Sequence, residues 1–379
     1  GLVVDRQQLD RVIVTLGVVG KVAERPMVEC LKEIYRVEPS LGYINGVLAR
    51  ASQAARQFNQ ERSLAIAEAQ VEADELYACG QAHLVAVEHS SLLILTLEQP
   101  ERCDGKAWEK SLGDLRERGV DLARLGSDGG KALGTALSKL VQVEQQLDPW
   151  HALRHVGRAL RSLEQAAYKA MAKEEELAKK LKKGVDRAHL MGRYVHDRYE
   201  EAREDTRERI DRYEAMCILK EWVRESLEAI ELRTGRLRSR VECLAELGAA
   251  TELMRELKVA ATKKLADYLD KAGAGLLAYV DRLQAQLAAL AEELGEEGVR
   301  LLCRERLLGR ELARAKPRQK AEAREAYLRA RLLALLHYGE RYPKAREKVG
   351  GALESVMRGS SLAECVNSWL RPYANLMKG

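Results

Sequence analysis

The sequence predicts an α/β-plus-α chain: a mixed five-stranded sheet, interrupted by a long all-helical insertion and preceded by an N-terminal helical region. Three observations carry this. Residues 71 to about 150 hold short apolar runs punctuated by turn residues and helical segments. Residues from about 151 to 350 keep helical spacing with no strand pattern. Ala, Leu, Arg and Glu recur throughout 379 residues that contain one Phe and seven Pro, a bias that favours helix and argues against an all-β sandwich.

The elements follow in chain order, in four regions: 1–70, 71–154, 155–350 and 351–379. In the first, Pro26 to Tyr35 has the apolar spacing of a short helix. The turn Glu38-Pro39-Ser40 follows, and Ser40 caps a second helix through Leu41, Ile44, Val47 and Leu48. Two short helices across a tight turn suggest a helix-turn-helix for DNA. In the second region, Val71–Ala78, His83–Val87 and Leu92–Leu97 read as an antiparallel meander, turning at Glu88-His89-Ser90-Ser91. A helix over Gly105–Arg118 carries Trp108, Leu112 and Leu115 on one face, with Trp108 expected in the core. A fourth strand, Val120–Leu125, ends in Gly126-Ser127-Asp128-Gly129-Gly130. A helix over Lys131–Leu140 and a fifth strand over Val141–Leu147 complete the set. The order β-β-β-α-β-α-β is that of a ribonuclease H-like sheet.

In the third region Leu283, Leu287, Leu290 and Leu294 keep heptad-like spacing, so this part is expected to pack as a coiled-coil-like bundle. Breaks are expected near Gly184, Thr234-Gly235, Gly273–Gly275 and Pro317. In the fourth, Ser360-Ser361 caps a helix from about Leu362 to Arg371, stopped by Pro372.

Charge and cysteine usage narrow the function classes. The 63 Lys+Arg against 58 Asp+Glu make the chain weakly basic, with a net charge of +5. No stretch of about 20 uncharged apolar residues is present, so no membrane span is expected. The opening residues have neither a basic segment nor an apolar one, so no secretory signal is expected. The chain begins with Gly1, as a piece of a longer protein would. Seven scattered cysteines without a CxxC pair fit reduced thiols and a cytoplasmic location better than a disulfide framework or a zinc site.

The acids carry the chemistry. Asp74 lies in the first strand and Asp128 at the end of the fourth, beside glycines that allow close approach. First and fourth strands are neighbours in such a sheet, so the two carboxylates fall side by side, where a divalent cation relieves their repulsion. A third acid on a helix completes a two-metal site for phosphoryl transfer. Glu364 is the best candidate, because Glu364, Asn367, Ser368 and Arg371 form one polar helix face.

Five strings appear in order: Asp74-Glu75-Leu76-Tyr77, Asp104-Gly105-Lys106-Ala107-Trp108, Ser127-Asp128-Gly129-Gly130, Asp148-Pro149-Trp150-His151, and Ser360 to Tyr373 with Glu364-Cys365-Val366-Asn367 and Arg371-Pro372-Tyr373. Together they resemble a DDE transposase of bacterial insertion-sequence type. The resemblance implies that Asp74, Asp128 and Glu364 are the catalytic, metal-binding triad for two Mg²⁺ (or Mn²⁺) ions. The long gap before Glu364 resembles members with an all-helical insertion. Asp148, His151 and Arg154 fall where related transposases often carry a D-x-x-H pair, and with Asn367 and Arg371 they are supporting candidates. The partners implied are double-stranded DNA, as transposon ends and target, and further copies of the chain in a homo-oligomer on DNA. Relatives are expected to continue beyond Gly379.

Other residues carry less. Glu75 should face away from Asp74 across the strand, and Glu88 and His89 should be solvated at their turn. Between Arg304 and Arg331 ten Lys/Arg stand against four acids, a footprint for DNA phosphates in which Arg310, Arg314 and Arg318 share a helix face if the helix survives Pro317. Two other functions compete with cleavage and strand transfer. One is a DNA-binding protein of transposase descent that no longer cuts, and the other is a helical scaffold. Neither needs the Asp128-Gly129-Gly130 and Glu364-x-x-Asn367 strings retained.

Overall fold

The computed structural model describes residues 5–78, 80–140, 142–182 and 190–376. Cys79, Val141, Gly184 and Gly379 lie outside these residues. The chain forms two compact units, one of Gly1–Glu144 with Ser360–Gly379 and one of Gln145–Gly359.

The first unit opens with helices α1 (Arg6–Val18), α2 (Glu24–Tyr35) and α3 (Leu41–Glu61). Asp5 and Gln8 close a capping box on α1, and the Ser40 hydroxyl accepts the Tyr43 N–H at the start of α3. Ile13, Met27, Leu31, Ile44 and Val47 make a small core of their own.

The sheet follows: β1 (Ile66–Ala78), β2 (Gln81–Glu88), β3 (Ile94–Glu98), helix α4 (Gly105–Glu117), β4 (Val120–Ser127), helix α5 (Lys131–Leu137) and β5 (Glu144–Leu147), which spans the boundary between units. Strand order is β3-β2-β1-β4-β5. β1 pairs antiparallel with β2 and parallel with β4, and β2 pairs antiparallel with β3, so the sheet is mixed. Alternation along β1 sorts its side chains between two faces. Ala69, Val71 and Ala73 pack with Trp108, Leu112 and Leu115 of α4 and with Leu133 of α5. Gln70, Glu72 and Asp74 take the opposite face.

The second unit is helical: α6 (Pro149–Lys182), α7 (Leu190–Ser226), α8 (Arg240–Glu256), α9 (Ala260–Leu276), α10 (Tyr279–Leu294), α11 (Glu296–Arg314), α12 (Lys320–Tyr338), a 3₁₀ turn at Gly339–Arg341, and α13 (Tyr342–Ser355). Among its described residues one isolated bridge, Ile230 to Leu237, is the β pairing outside β5. Val156, Leu163, Met216, Val223, Leu269 and Tyr279 lie in one continuous core, which Leu283 and Leu287 join while Leu290 and Leu294 pack against it. Gly273 and Gly275 do not break a helix. They lie in the last turns of α9, where a Cβ on Gly273 would meet Leu244 and Leu247 at 3.3 Å and one on Gly275 would meet Leu147 at 3.0 Å. Close packing explains these two glycines, and the break follows at Leu277-Ala278.

The chain then rejoins the first unit as α14 (Ser361–Leu376). Its Leu362, Val366 and Leu370 pack on Val85 and Val87 of β2, on the same sheet face as Glu72 and Asp74. Pro372 was expected to stop this helix but lies inside it. Proline removes one N–H near the end of a helix already anchored to the sheet by its first three turns. Among the described residues no helix is long and apolar enough to cross a membrane, and the six described cysteines form no disulfide.

Candidate functional site

The last register pair between β1 and β4 is Glu72 with Gly126. Two residues further along each chain are Asp74 and Asp128. Asp128 leaves the strand on Gly129, whose φ of +84° is one that glycine adopts without strain. The next N–H, of Gly130, donates to the Asp128 Oδ1 at 2.8 Å, so the loop holds the carboxylate at the strand end.

Asp74 is the most perturbed acid here. Its Oδ1 accepts the Glu75 N–H at 2.8 Å and its Oδ2 accepts the Asn367 amide at 2.6 Å. Burial pushes its carboxyl up to about 6 against the Glu75 bond, and the charges of Asp128 and then Glu364 push the same way against the Asn367 bond. Asp128 and Glu364 therefore both lie within electrostatic reach of Asp74, all three in the first unit. Glu364 sits in the first turn of α14, a favourable place for a negative charge.

Asn367 is 2% exposed, and its Oδ1 is buried with no hydrogen-bond partner among the described residues. A carboxylate accepts only, so the amide must turn its N–H toward Asp74, which leaves the carbonyl oxygen unsatisfied. Three carboxylates and an orphan carbonyl are hard oxygen donors, the set that suits Mg²⁺ or Mn²⁺.

Two residues at this site escape a reading of the sequence. Glu72 is 1% exposed, its Oε2 accepts the Leu362 N–H at 2.6 Å, and its Oε1 lies 2.8 Å from the His89 Nδ1. Glu72 thus ties β1 to the first turn of α14, where Leu362 N–H has no partner within the helix. Its signal was the i, i+2 relation to Asp74, which places both on one face, but the helix that buries it comes 290 residues later. Nor are Glu88 and His89 solvated. Glu88 is 4% exposed and accepts the Ser91 N–H at 2.6 Å. Burial alone would raise Glu88, but hydrogen bonds from Ser91 and Ser90 and the charge of His89 hold it below its usual value. Glu75 does face away, accepting the Trp108 Nε1–H at 2.9 Å, and Trp108 is fully buried.

Neither a protein-family model, nor a curated protein, nor a solved structure matches this chain. What the remaining sequence candidates do is therefore read from their surroundings.

Arg371 is exposed on α14. Asp148, His151 and Arg154 belong to the helical unit. Asp148 Oδ1 accepts the Trp150 N–H at 2.8 Å at the start of α6. His151 meets the Trp150 ring edge-on at 5.1 Å, and the Arg154 guanidinium lies 4.8 Å from that ring's centre. The basic stretch does not form one face. α11 ends at Arg314, Arg318 lies on the turn that follows, and Arg310 is half-buried. Pro317 cannot donate the N–H that would extend the helix.

Proposed function

We propose that the chain is a DDE transposase: an enzyme that cleaves DNA phosphodiesters and transfers strands, using a ribonuclease H-like sheet and divalent cations held by Asp74, Asp128 and Glu364. The observation that carries this reading is the electrostatic coupling of those three acids, brought together from two adjacent strand ends and a helix that returns much later. The strand order β3-β2-β1-β4-β5, with β1 antiparallel to β2 and parallel to β4, is the order expected of such a sheet and supports the same reading.

Each residue has a task under this proposal. Asp74 would hold a cation in its ionised form, since positive charge would offset the burial and the neighbouring acids that raise its carboxyl. Asn367 fixes the Asp74 carboxylate through one hydrogen bond and offers its free carbonyl oxygen to the site. Glu72 holds the first turn of α14, and with it the Glu364 backbone, against β1. When bound, two Mg²⁺ ions would activate the attacking oxygen and stabilise the leaving oxygen of an in-line displacement. Double-stranded DNA is the substrate proposed, with α2 and α3 as a helix-turn-helix that binds it.

Asp128→Asn tests this. In a chain that nicks supercoiled DNA with Mg²⁺, the substitution should lower the rate by about 10²–10³-fold or more, because an amide lacks the charge that holds and positions the cations. DNA affinity should stay within about twofold, since Asp128 is not part of the proposed DNA-binding helices. An Asp128→Asn chain that nicks at the parent rate refutes the assignment.

A further inference from the structure

In the helical unit several arginines around one cavity lack acid partners among the described residues. A cavity of about 500 Å³ is lined by residues of α7, α11 and the α7–α8 connection, with Leu153, Trp222, Ile230 and Leu307 giving it an apolar wall. Six arginines line it as well. Three are neutralised: Arg358 by Glu228 at 2.8 Å, Arg224 by Glu221 at 3.1 Å, and Arg238 by Glu246. The other three, Arg233, Arg310 and Arg314, make no ion pair or hydrogen bond with any described residue. Of the lining carboxylates only Glu225 lacks a cationic partner among the described residues, so positive charge remains in excess.

Arg310 is the telling member. It is half-buried, and after burial itself the charges of Arg358 and Arg306 oppose its protonated form. A guanidinium cannot escape by losing its proton. A half-buried cation crowded by like charge is stabilised by an anion that comes to it. Guanidinium forks match phosphate oxygens in geometry and charge.

We infer that this cavity binds a phosphate group, gripped by Arg310 and Arg314 with Arg233 at its rim, and that the apolar wall receives the organic part that carries the phosphate. That group is either the phosphate of a small ester or a backbone phosphate of DNA, since both present the same oxygens. The inference depends on nothing in the acidic triad.

Calorimetry on the full chain with inorganic pyrophosphate tests it, repeated with a duplex oligonucleotide present. Binding at one site is expected, weakened about tenfold or more by Arg310→Gln and by Arg314→Gln. Arg314 is exposed at the end of its helix, so its substitution does not threaten folding. Arg318→Gln, off the cavity, should leave the affinity unchanged. Competition by duplex assigns the site to the DNA backbone, and absence of competition assigns it to a free phosphate ester. The inference is overturned if pyrophosphate does not bind the parent chain, or if all three variants bind it alike. A failed Asp128→Asn test would leave these outcomes untouched.

Discussion

The two units bury charge in different ways. In the helical unit Glu305 and Arg238 are buried with ionic partners. Glu305, 2% exposed at its side chain, receives the Arg346 Nε–H at 3.0 Å and the Tyr342 hydroxyl at 2.7 Å. Arg238 meets Glu246 and two backbone carbonyls, and Arg358 meets Glu228. In the sheet unit Glu72 and Asp74 have neither a lysine nor an arginine. They are held by a histidine, an amide and backbone N–H groups. Paired burial of this kind describes architecture that is complete as it stands. Among the described residues Asp74 thus lacks the cationic partner that Glu305 has.

Substitutions can break this contrast. The largest effect on stability is expected at Glu72. Glu72→Leu strands the Leu362 N–H in a buried setting and removes the carboxylate from the His89 Nδ1, and should cost about 3–5 kcal/mol. Hydrogen exchange across β1 and α14 reads the loss, while amides of α8 and α9 should keep their protection. Equal loss of protection in both units would mean that Glu72 does not act locally.

Asp74 gives the next effect, and its sign is opposite. Its carboxyl is raised to about 6 in the folded chain, so the protonated form is the one that folding favours. That stabilisation is whole below about pH 4 and is lost as pH rises through about 6, amounting to as much as about 3 kcal/mol. Without added metal, the parent chain should therefore become less stable between pH 4 and pH 7, and Asp74→Asn should lose less over that range. Added Mg²⁺ should restore the parent at pH 7 and do little for the variant. Denaturant titrations at the two pH values check this, and a parent that gains stability over the same range contradicts it.

The smallest effects belong to the helical unit. Arg346→Met leaves Glu305 with Tyr342 as its remaining partner and should cost about 1–3 kcal/mol. Glu325→Gln, which breaks an exposed pair with Arg329 one helical turn away, should leave the denaturation midpoint where it is. If the two variants behave alike, burial is not what distinguishes these pairs.

How much of this was legible from residues alone depended on how local the cause was. The strands of the sheet were in large part, because alternation and turn residues act over a few positions: β2 and β4 extend the expected segments by one or two residues at their ends, while β1 begins at Ile66, inside the region expected to be helical, and β5 at Glu144, three residues late. The strings around Asp74, Asp128 and Glu364 are distinctive, and the charges of Asp128 and Glu364 do reach Asp74. Glu72 and His89 were not legible, because nothing nearby in sequence reveals that α14 will cover them. The break expected near Gly273–Gly275 falls at Leu277-Ala278, while the two glycines themselves admit Leu244, Leu247 and Leu147. Pro317 ended its helix and Pro372 did not, which turns on the anchoring of α14 by Leu362, Val366 and Leu370.

The hydrogen bond from Leu362 to Glu72 joins residues 290 positions apart. At synthesis rates of about 5–20 residues per second, roughly 15–60 s pass between the emergence of one partner and the other. Through that interval the nascent sheet carries Asp74 and Asp128 without Glu364, and Val85 and Val87 without their cover. The growing chain thus holds two acids of three while its ribosome is still at work. The acidic cluster is therefore completed only after the chain has grown through Glu364 and α14 has packed on the sheet.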